Sequence, residues 1–458
     1  MNEAPKDARI EEEPGALRPW SWIPSLYLAE GLPYVIVMTV SVVMYKRLGV
    51  SNTEIALYTS WLYLPWIIKP LWSPLIEILG TKRSWIVTMQ LLIGAGLGGV
   101  ALTIPTGNFL QYSLAFLWLL AFSSATHDIA ADGFYMLGLS KHEQAWFVGI
   151  RSTFYRLAMI SGQGLLVILA GYLETSTALT DFLLDESSPA VAAGAPGNIP
   201  LAWSLTFMIL CALFVMLVGY HWRVLPRPAA DARRILESHS RIMHDFVETF
   251  VAFFRKKHIG VVLGFLLLFR FSEAQLVKMT APFMLDSGEI GGLGLSTSEV
   301  GIAYGTVGIL MLTIGGILGG LLAARHGLKF WLVWMAIAIN LPNAVYIFLS
   351  FWLPDSFLIV NFAVGIEQFG YGFGFTAYTL YMIYVSQGQH STAHFAICTG
   401  FMALGMMIPG MFSGWLQEAI GYRYFFVWVL VATIPSFIFT VLIPLESNFG
   451  KRENQDTA

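Results

Sequence analysis

The sequence predicts an all-α integral membrane protein, with about twelve transmembrane helices in two six-helix bundles. Three observations predict it. Hydrophobic residues make up 56% of the 458 and charged residues only 12%, with a mean hydropathy of +0.65, whereas soluble domains carry about 25% charge. Apolar runs long enough to cross a bilayer, which takes roughly twenty residues each, recur along the chain in two sets of six. The sets are separated by Arg223–Lys257, the most basic stretch, and each set holds a copy of one short repeat.

The first set lies at about 20–45, 53–78, 84–105, 110–138, 144–173 and 201–222. The second lies at about 258–283, 298–324, 329–351, 355–385, 392–418 and 423–445. The expected organisation is an amino-terminal tail (1–19), a first bundle (20–222), a linker (223–257), a second bundle (258–445) and a carboxy-terminal tail (446–458). The tail mixes Lys6 and Arg9 with Glu11, Glu12 and Glu13. The run after it is too long for a signal-peptide core, so a retained first span is expected.

Lys and Arg set the orientation. Lys82, Arg83, Lys141, Arg325, Lys329, Lys451, Arg452 and the linker fall on one side. The other side keeps Lys46, Arg47, Lys278 and Arg423, and its longest loop carries Glu174, Asp181, Asp185 and Glu186 without a base. The positive-inside rule then puts both termini and the linker in the cytosol.

The repeat is LGVSNTEIALY at Leu48–Tyr58 and LGLSTSEVGIAY at Leu293–Tyr304. Ser51 with Glu54 and Ser296 with Glu299 have capping-box spacing, and each opens the second span of its half. Two parallel halves with a site between them near the bilayer centre describe the major facilitator superfamily. The basic turn Arg325–Lys329 resembles that superfamily's loop motif, with Gly320, Arg325, Gly327 and Lys329 matching and Ala324 in place of the acid. In the linker, Ile235, Leu236, Ile242, Met243, Phe246, Val247, Phe250 and Phe254 recur at helical spacing, with Arg233, Arg234 and Arg241 off that face. This predicts an amphipathic helix on the inner membrane surface.

The costly residues are few. An ionised side chain at a span centre costs roughly 2.5–3.5 kcal/mol on insertion scales, so each is a functional candidate. Glu30, Asp128, Asp132, Arg151, Arg156, Arg270, Glu273 and Glu367 fall within runs, and Lys69 lies nearer a membrane face. Asp128 and Asp132 share a helical face, and Arg156 in the next run is their expected partner. Arg151 is close enough to the end of its run to snorkel. Glu30 precedes Gly31-Leu32-Pro33, where proline removes a helix hydrogen bond. Arg270 and Glu273, three apart, are placed to pair along one helix. His127 and His394 are the histidines best placed for a proton path. The run Glu367–Tyr384 is rich in aromatic residues and glycine, suiting a sugar face or close helix packing. Cys211 and Cys398 lack metal-ligand spacing, no enzyme motif is present, and the net charge of −3 argues against nucleic acid.

These residues carry a resemblance. LPWIIKPLWSPLIE (Leu64–Glu77), SSATHDIAADGFY (Ser123–Tyr135), YRLAMISG (Tyr155–Gly162), FRFSEA (Phe269–Ala274), APFMLD (Ala281–Asp286), EQFGYGFG (Glu367–Gly374) and STAHFA (Ser391–Ala396) resemble, in this order, the AmpG-type permeases. These form a branch of the major facilitator superfamily that also contains acetyl-coenzyme A transporters. The resemblance implies a proton-driven importer in the bacterial inner membrane, carrying N-acetylglucosaminyl-anhydromuramyl cell-wall fragments and needing no cofactor or metal. An exchanger of acyl-coenzyme A or another anionic metabolite is the alternative, and a non-transporting sensor a third reading. The resemblance implies Asp128, Asp132, Arg156, Arg270, Glu273 and Glu367 as the functional polar set. Asp128, Asp132 and Glu30 are the expected proton carriers. Arg156, Arg270, Glu273, Glu367, His127, Tyr155 and Tyr371 are the expected substrate contacts. The partners implied are the small-molecule substrate, protons and the bilayer, acting on a monomer. The chain departs from the family at Glu30, where small polar residues are usual, and at His127, where glutamine is. It also lacks the two extra carboxy-terminal spans of some members and has a longer loop after the fifth span.

Overall fold

The computed structural model describes residues 19–176, 199–231, 239–388 and 390–451. The expectations for the amino-terminal tail, for Asp181, Asp185 and Glu186, for Arg233, Arg234, Ile235 and Leu236, and for Arg452 lie outside the described residues. So do the side chains of Arg241, Ile242, Met243 and Phe246.

The described residues form helices and no strands. Nine helical stretches among them are long and apolar enough to cross a membrane. The longest, Ser391–Leu442, is two crossings, because Gly421 turns the chain at φ 74° and ψ 164°, a conformation that glycine adopts at little cost. Two further crossings fall short of that test. One is the proline-broken pair Asn52–Trp61 and Leu64–Ile78, and the other is the tyrosine- and glycine-rich Phe357–Ser386. The crossings of the first half are α1 (Pro19–Arg47), α2 (52–78), α3 (Lys82–Thr103), α4 (Phe109–Gly138), α5 (His142–Thr175) and α6 (Ile199–Val224). The linker carries α7 (His239–Phe254). The second half has α8 (Ile259–Leu285), α9 (Thr297–His326), α10 (Leu328–Trp352), α11 (Phe357–Ser386), α12 (391–420) and α13 (422–442).

The repeat reappears in the packing. In the first half α1 packs on α5, α2 on α4 and α3 on α4. Their counterparts pair likewise, α8 with α12, α9 with α11 and α10 with α11. Ser51 and Ser296 each accept the amide three residues on, and the full reciprocal capping box forms at Ser296–Glu299. Both halves thus enter their second crossing through the same local device.

The hydrogen bonds and ion pairs that join the halves cluster at the end opposite the linker. Lys46 meets Asp286 at 2.6 Å. Asn52 donates to Gln417 Oε1 at 2.6 Å and to Tyr422 Oη at 2.9 Å, and Tyr422 donates to Asp286 at 2.6 Å. Glu174, at the end of α5, accepts from Arg47 on α1, Trp203 on α6 and Thr297 on α9. Glycines let the backbones meet there. A Cβ at Gly305 would strike the Gln163 carbonyl, and one at Gly414 would strike that of Asn52.

The linker is fastened to both halves. Asp231 accepts from the amides of Lys82 (2.7 Å) and Arg83 (3.0 Å), donors in the first turn of α3 that have no partner within the helix. On the other side, Lys256 donates to the carbonyls of Val385 (2.6 Å) and Gln387 (3.1 Å) at the end of α11.

Candidate functional site

Two clusters of charge face the middle of the molecule, one from each half. In the first, α4 presents Asp128 and Asp132 one turn apart, as their spacing predicts. Their partners differ from expectation. Asp128 is paired with Lys69 of α2 at 2.5 Å, and Asp132 with Arg151 of α5 at 2.8 Å. Tyr27 of α1 donates to Asp132 at 3.4 Å, and the Arg151 guanidinium lies 4.6 Å over the Tyr27 ring and 5.0 Å over that of Tyr135. Arg156 is exposed and makes no ion pair among the described residues. The reason is helical phase. Five residues turn an α-helix by about 140°, so Arg156 cannot share the face that Arg151 presents to α4.

Glu30 stands where α1 loosens: Pro33 interrupts the helix and residues Ile36–Val40 follow as a π-helix. It is 7% exposed, its Oε2 has no hydrogen-bond partner, and Asp132, Asp128, Arg151 and Lys69 are its charged neighbours. Gly31 lets α5 come close, since a Cβ there would lie 2.7 Å from that of Ala158 and 3.1 Å from the Tyr155 carbonyl. Tyr155 accordingly faces Tyr34, Glu30 and both aspartates.

The second cluster belongs to α8 and α11. The helix breaks between Leu268 and Phe271, leaving Arg270 at a helix start with φ −107° and ψ 21°. Arg270 therefore does not pair with Glu273 along one helix. It donates to Tyr371 Oη at 2.5 Å and lies over the Tyr371 and Phe375 rings at 5.2 and 4.9 Å. Its Nε and both carboxylate oxygens of Glu273 have no hydrogen-bond partner among the described residues. Glu367 accepts from Gln368 at 2.9 Å and from Tyr346 at 3.4 Å, and Glu273 is its charged neighbour.

Sequence reasoning missed the residues that connect the clusters. Tyr34 has Arg270 of the second half and Lys69 and Asp128 of the first among its charged neighbours. Tyr63 faces Tyr34, Arg270, Tyr371 and Glu273. Lys278, expected on the outer side, is 1% exposed inside α8. It donates across the halves to Thr59 Oγ1 at 2.9 Å and lies 5.4 Å over the Tyr63 ring. Its place within an apolar run, away from either end, was the available signal.

The histidines lie elsewhere. His127 is one residue, or about 100°, round α4 from Asp128. It points to α3 and α6, where Gln90 bridges it (3.0 Å) to His221 (2.9 Å), which in turn meets Ser25 (2.9 Å). His394 meets the Thr249 carbonyl of α7 at 3.3 Å. Neither reaches the central clusters.

Two halves related by a repeat, with ionisable clusters between them, match a known architecture. The profile of the Major Facilitator Superfamily covers residues 25–390. The chain belongs to that superfamily. The anhydromuropeptide permease of Escherichia coli (strain K12) is 25% identical over 380 residues, spanning 81% of this chain and 69% of that protein. A putative AmpG 4 transporter of Rickettsia conorii is 23% identical over 434 residues, spanning 92% and 96%. As a member of that superfamily the protein is a membrane transporter and not an enzyme, and it is similar to transporters named AmpG. Solved structures share the fold. A bacterial homologue of the human lysosomal transporter Spinster, inward-facing and occupied, superposes with a TM-score of 0.64 at 18% identity, covering 92% of this chain and 94% of that one. The nucleoside transporter NupG superposes with 0.63 at 12% identity, covering 92% and 97%.

Proposed function

We propose that this transporter imports an anionic, amino-sugar cell-wall fragment of the N-acetylglucosaminyl-anhydromuramyl type, coupled to protons. In this reading it works as a monomer in a bacterial inner membrane, with both termini in the cytosol. The bundles 20–222 and 258–445 rock about the centre, joined by the linker 223–257. The observation that carries the reading is the asymmetry of the central clusters. In the first half, Glu30 lies beside two aspartates that have only two cations to share. A third carboxylate there is most cheaply kept by binding a proton. In the second half, Arg270 is held by aromatic contacts with Nε free. A guanidinium so placed suits a substrate carboxylate, and the rings beside it suit a sugar face.

The roles follow. Glu30, Asp128 and Asp132 take up the proton, with Lys69 and Arg151 as the competing charges. Arg270, Tyr371, Glu273, Glu367 and Tyr155 contact the substrate. Arg156, on the exposed face of α5, meets the anion on its way in or out. His127 supports α4 from behind. The linker side is cytosolic, and the bonds that join the halves at the opposite end support a state closed to the outside. The relatives named as permeases for anhydromuropeptides support the substrate class.

The test is uptake of radiolabelled N-acetylglucosaminyl-anhydromuramic acid into proteoliposomes, with and without an inward proton gradient. Gradient-driven accumulation, abolished by a protonophore and lost in Asp128→Asn, is expected. Uptake that ignores the gradient but requires substrate preloaded on the far side would replace symport by exchange. Binding without uptake would make the protein a sensor.

A further inference from the structure

An apolar groove opens at the linker end, in the seam between α2, α7 and α12. Ile67 and Pro70 come from the first half, Phe250 and Phe254 from α7, and Phe401 and Leu404 from the second half. At its floor α2 and α12 nearly touch, since a Cβ at Gly400 would lie 3.0 Å from the Ile67 carbonyl. One wall is fixed. Phe253 is fully buried and stacks on Phe401 at 6.3 Å, and Lys256 is tied to the end of α11. Phe254, by contrast, is 45% exposed.

The side chains lining the groove are all apolar, which suits an alkyl chain and leaves a peptide backbone without partners. The chain beyond the groove has the opposite character. Arg255 directly follows the lining residue Phe254, Lys257 comes two residues later, and both are exposed. A slot lined by aliphatic and phenyl side chains, with two exposed cations within three residues of Phe254 and an amphipathic helix beside it, is complementary to a lipid with a negative headgroup. We propose that this seam binds one anionic phospholipid, with an acyl chain in the groove and the phosphate on Arg255 and Lys257. The chain would touch both halves and the linker together, so an occupied seam holds α2 and α12 at their present spacing.

Native mass spectrometry of the full chain, extracted in mild detergent and titrated with phosphatidylglycerol or phosphatidylcholine, tests this. One phosphatidylglycerol is expected to be retained in preference to phosphatidylcholine. Removing both cations in Arg255→Gln/Lys257→Gln is expected to weaken retention by about 30-fold, from the usual contribution of a basic residue near an anionic surface. The control Arg325→Gln/Lys329→Gln, which removes two exposed cations elsewhere, is expected to retain the lipid, and excess inorganic phosphate is expected not to displace it. All four positions are exposed, so folding is not at issue. Equal retention of both lipids, equal loss in both double variants, or displacement by phosphate would overturn the proposal.

Discussion

The two central clusters are built from the same residue types and solve opposite problems. In the first half each aspartate has its own cation, Lys69 at 2.5 Å and Arg151 at 2.8 Å. In the second half Glu273 has no hydrogen-bond partner and Lys278 is held by a neutral hydroxyl from the opposite half. A paired charge stabilises the half that contains it. An unpaired buried charge is a standing cost, which a ligand of opposite sign or a proton relieves. The labour is divided between a first half whose aspartates are paired, with Glu30 as the surplus carboxylate, and a second half whose Arg270 and Glu273 are charged neighbours that make no ion pair among the described residues.

Mutations can break that division. The largest effect is expected at Arg270→Ala, because truncating one side of a buried charged contact costs about 2–5 kcal/mol, or roughly 30- to 5,000-fold in affinity. Substrate binding followed by calorimetry should fall in that range, with little change in the unfolding temperature. If Arg270→Ala destabilises the fold as much as it weakens binding, the second half is balanced internally after all. Next comes Asp128→Asn, which strands Lys69. The pair is partly exposed, so the expected destabilisation is about 1–3 kcal/mol, between surface and buried values. Thermal unfolding in detergent should show it, and Lys69→Met/Asp128→Asn should recover most of the stability while uptake stays lost. The smallest effect is expected at His127→Gln. It perturbs one buried hydrogen bond, worth about 1 kcal/mol, and should leave the dependence of uptake on the proton gradient unchanged. Loss of that dependence would bring the histidine chain into the coupling machinery.

Much of this was legible beforehand. The spans follow from length and apolarity, and the two halves from one repeated capping box. The costly carboxylates follow from their position in apolar runs. The partners were not legible, because they depend on helical phase and on which helices meet. Arg151 and Arg156 lie in the same run and point about 140° apart, so the one read as snorkelling is the one that meets Asp132. Arg270 and Glu273 have pairing spacing, but the helix breaks between Leu268 and Phe271 and removes the shared face. Lys69, between Pro65 and Pro70, reads as a residue nearer a membrane face, while its side chain reaches Asp128. Tyr34 and Tyr63 had no signal beyond their aromatic character, since only the facing of two halves makes them bridges.

The closure at the end opposite the linker bears on speed. Its hydrogen bonds and ion pairs fall on Asn52, Asp286, Gln417, Tyr422 and Glu174, beside an apolar cluster that both halves share. Water can replace each of these bonds when the halves part, so each resists opening by about 0.5–1.5 kcal/mol where it is neutral and about 1.5–3 kcal/mol where a carboxylate takes part. A seam of the same size filled with leucines would have to expose its whole apolar surface to water before anything could pass. Water that replaces these polar fastenings keeps their share of the barrier between alternate states small, and a carrier must cross that barrier twice in every turnover.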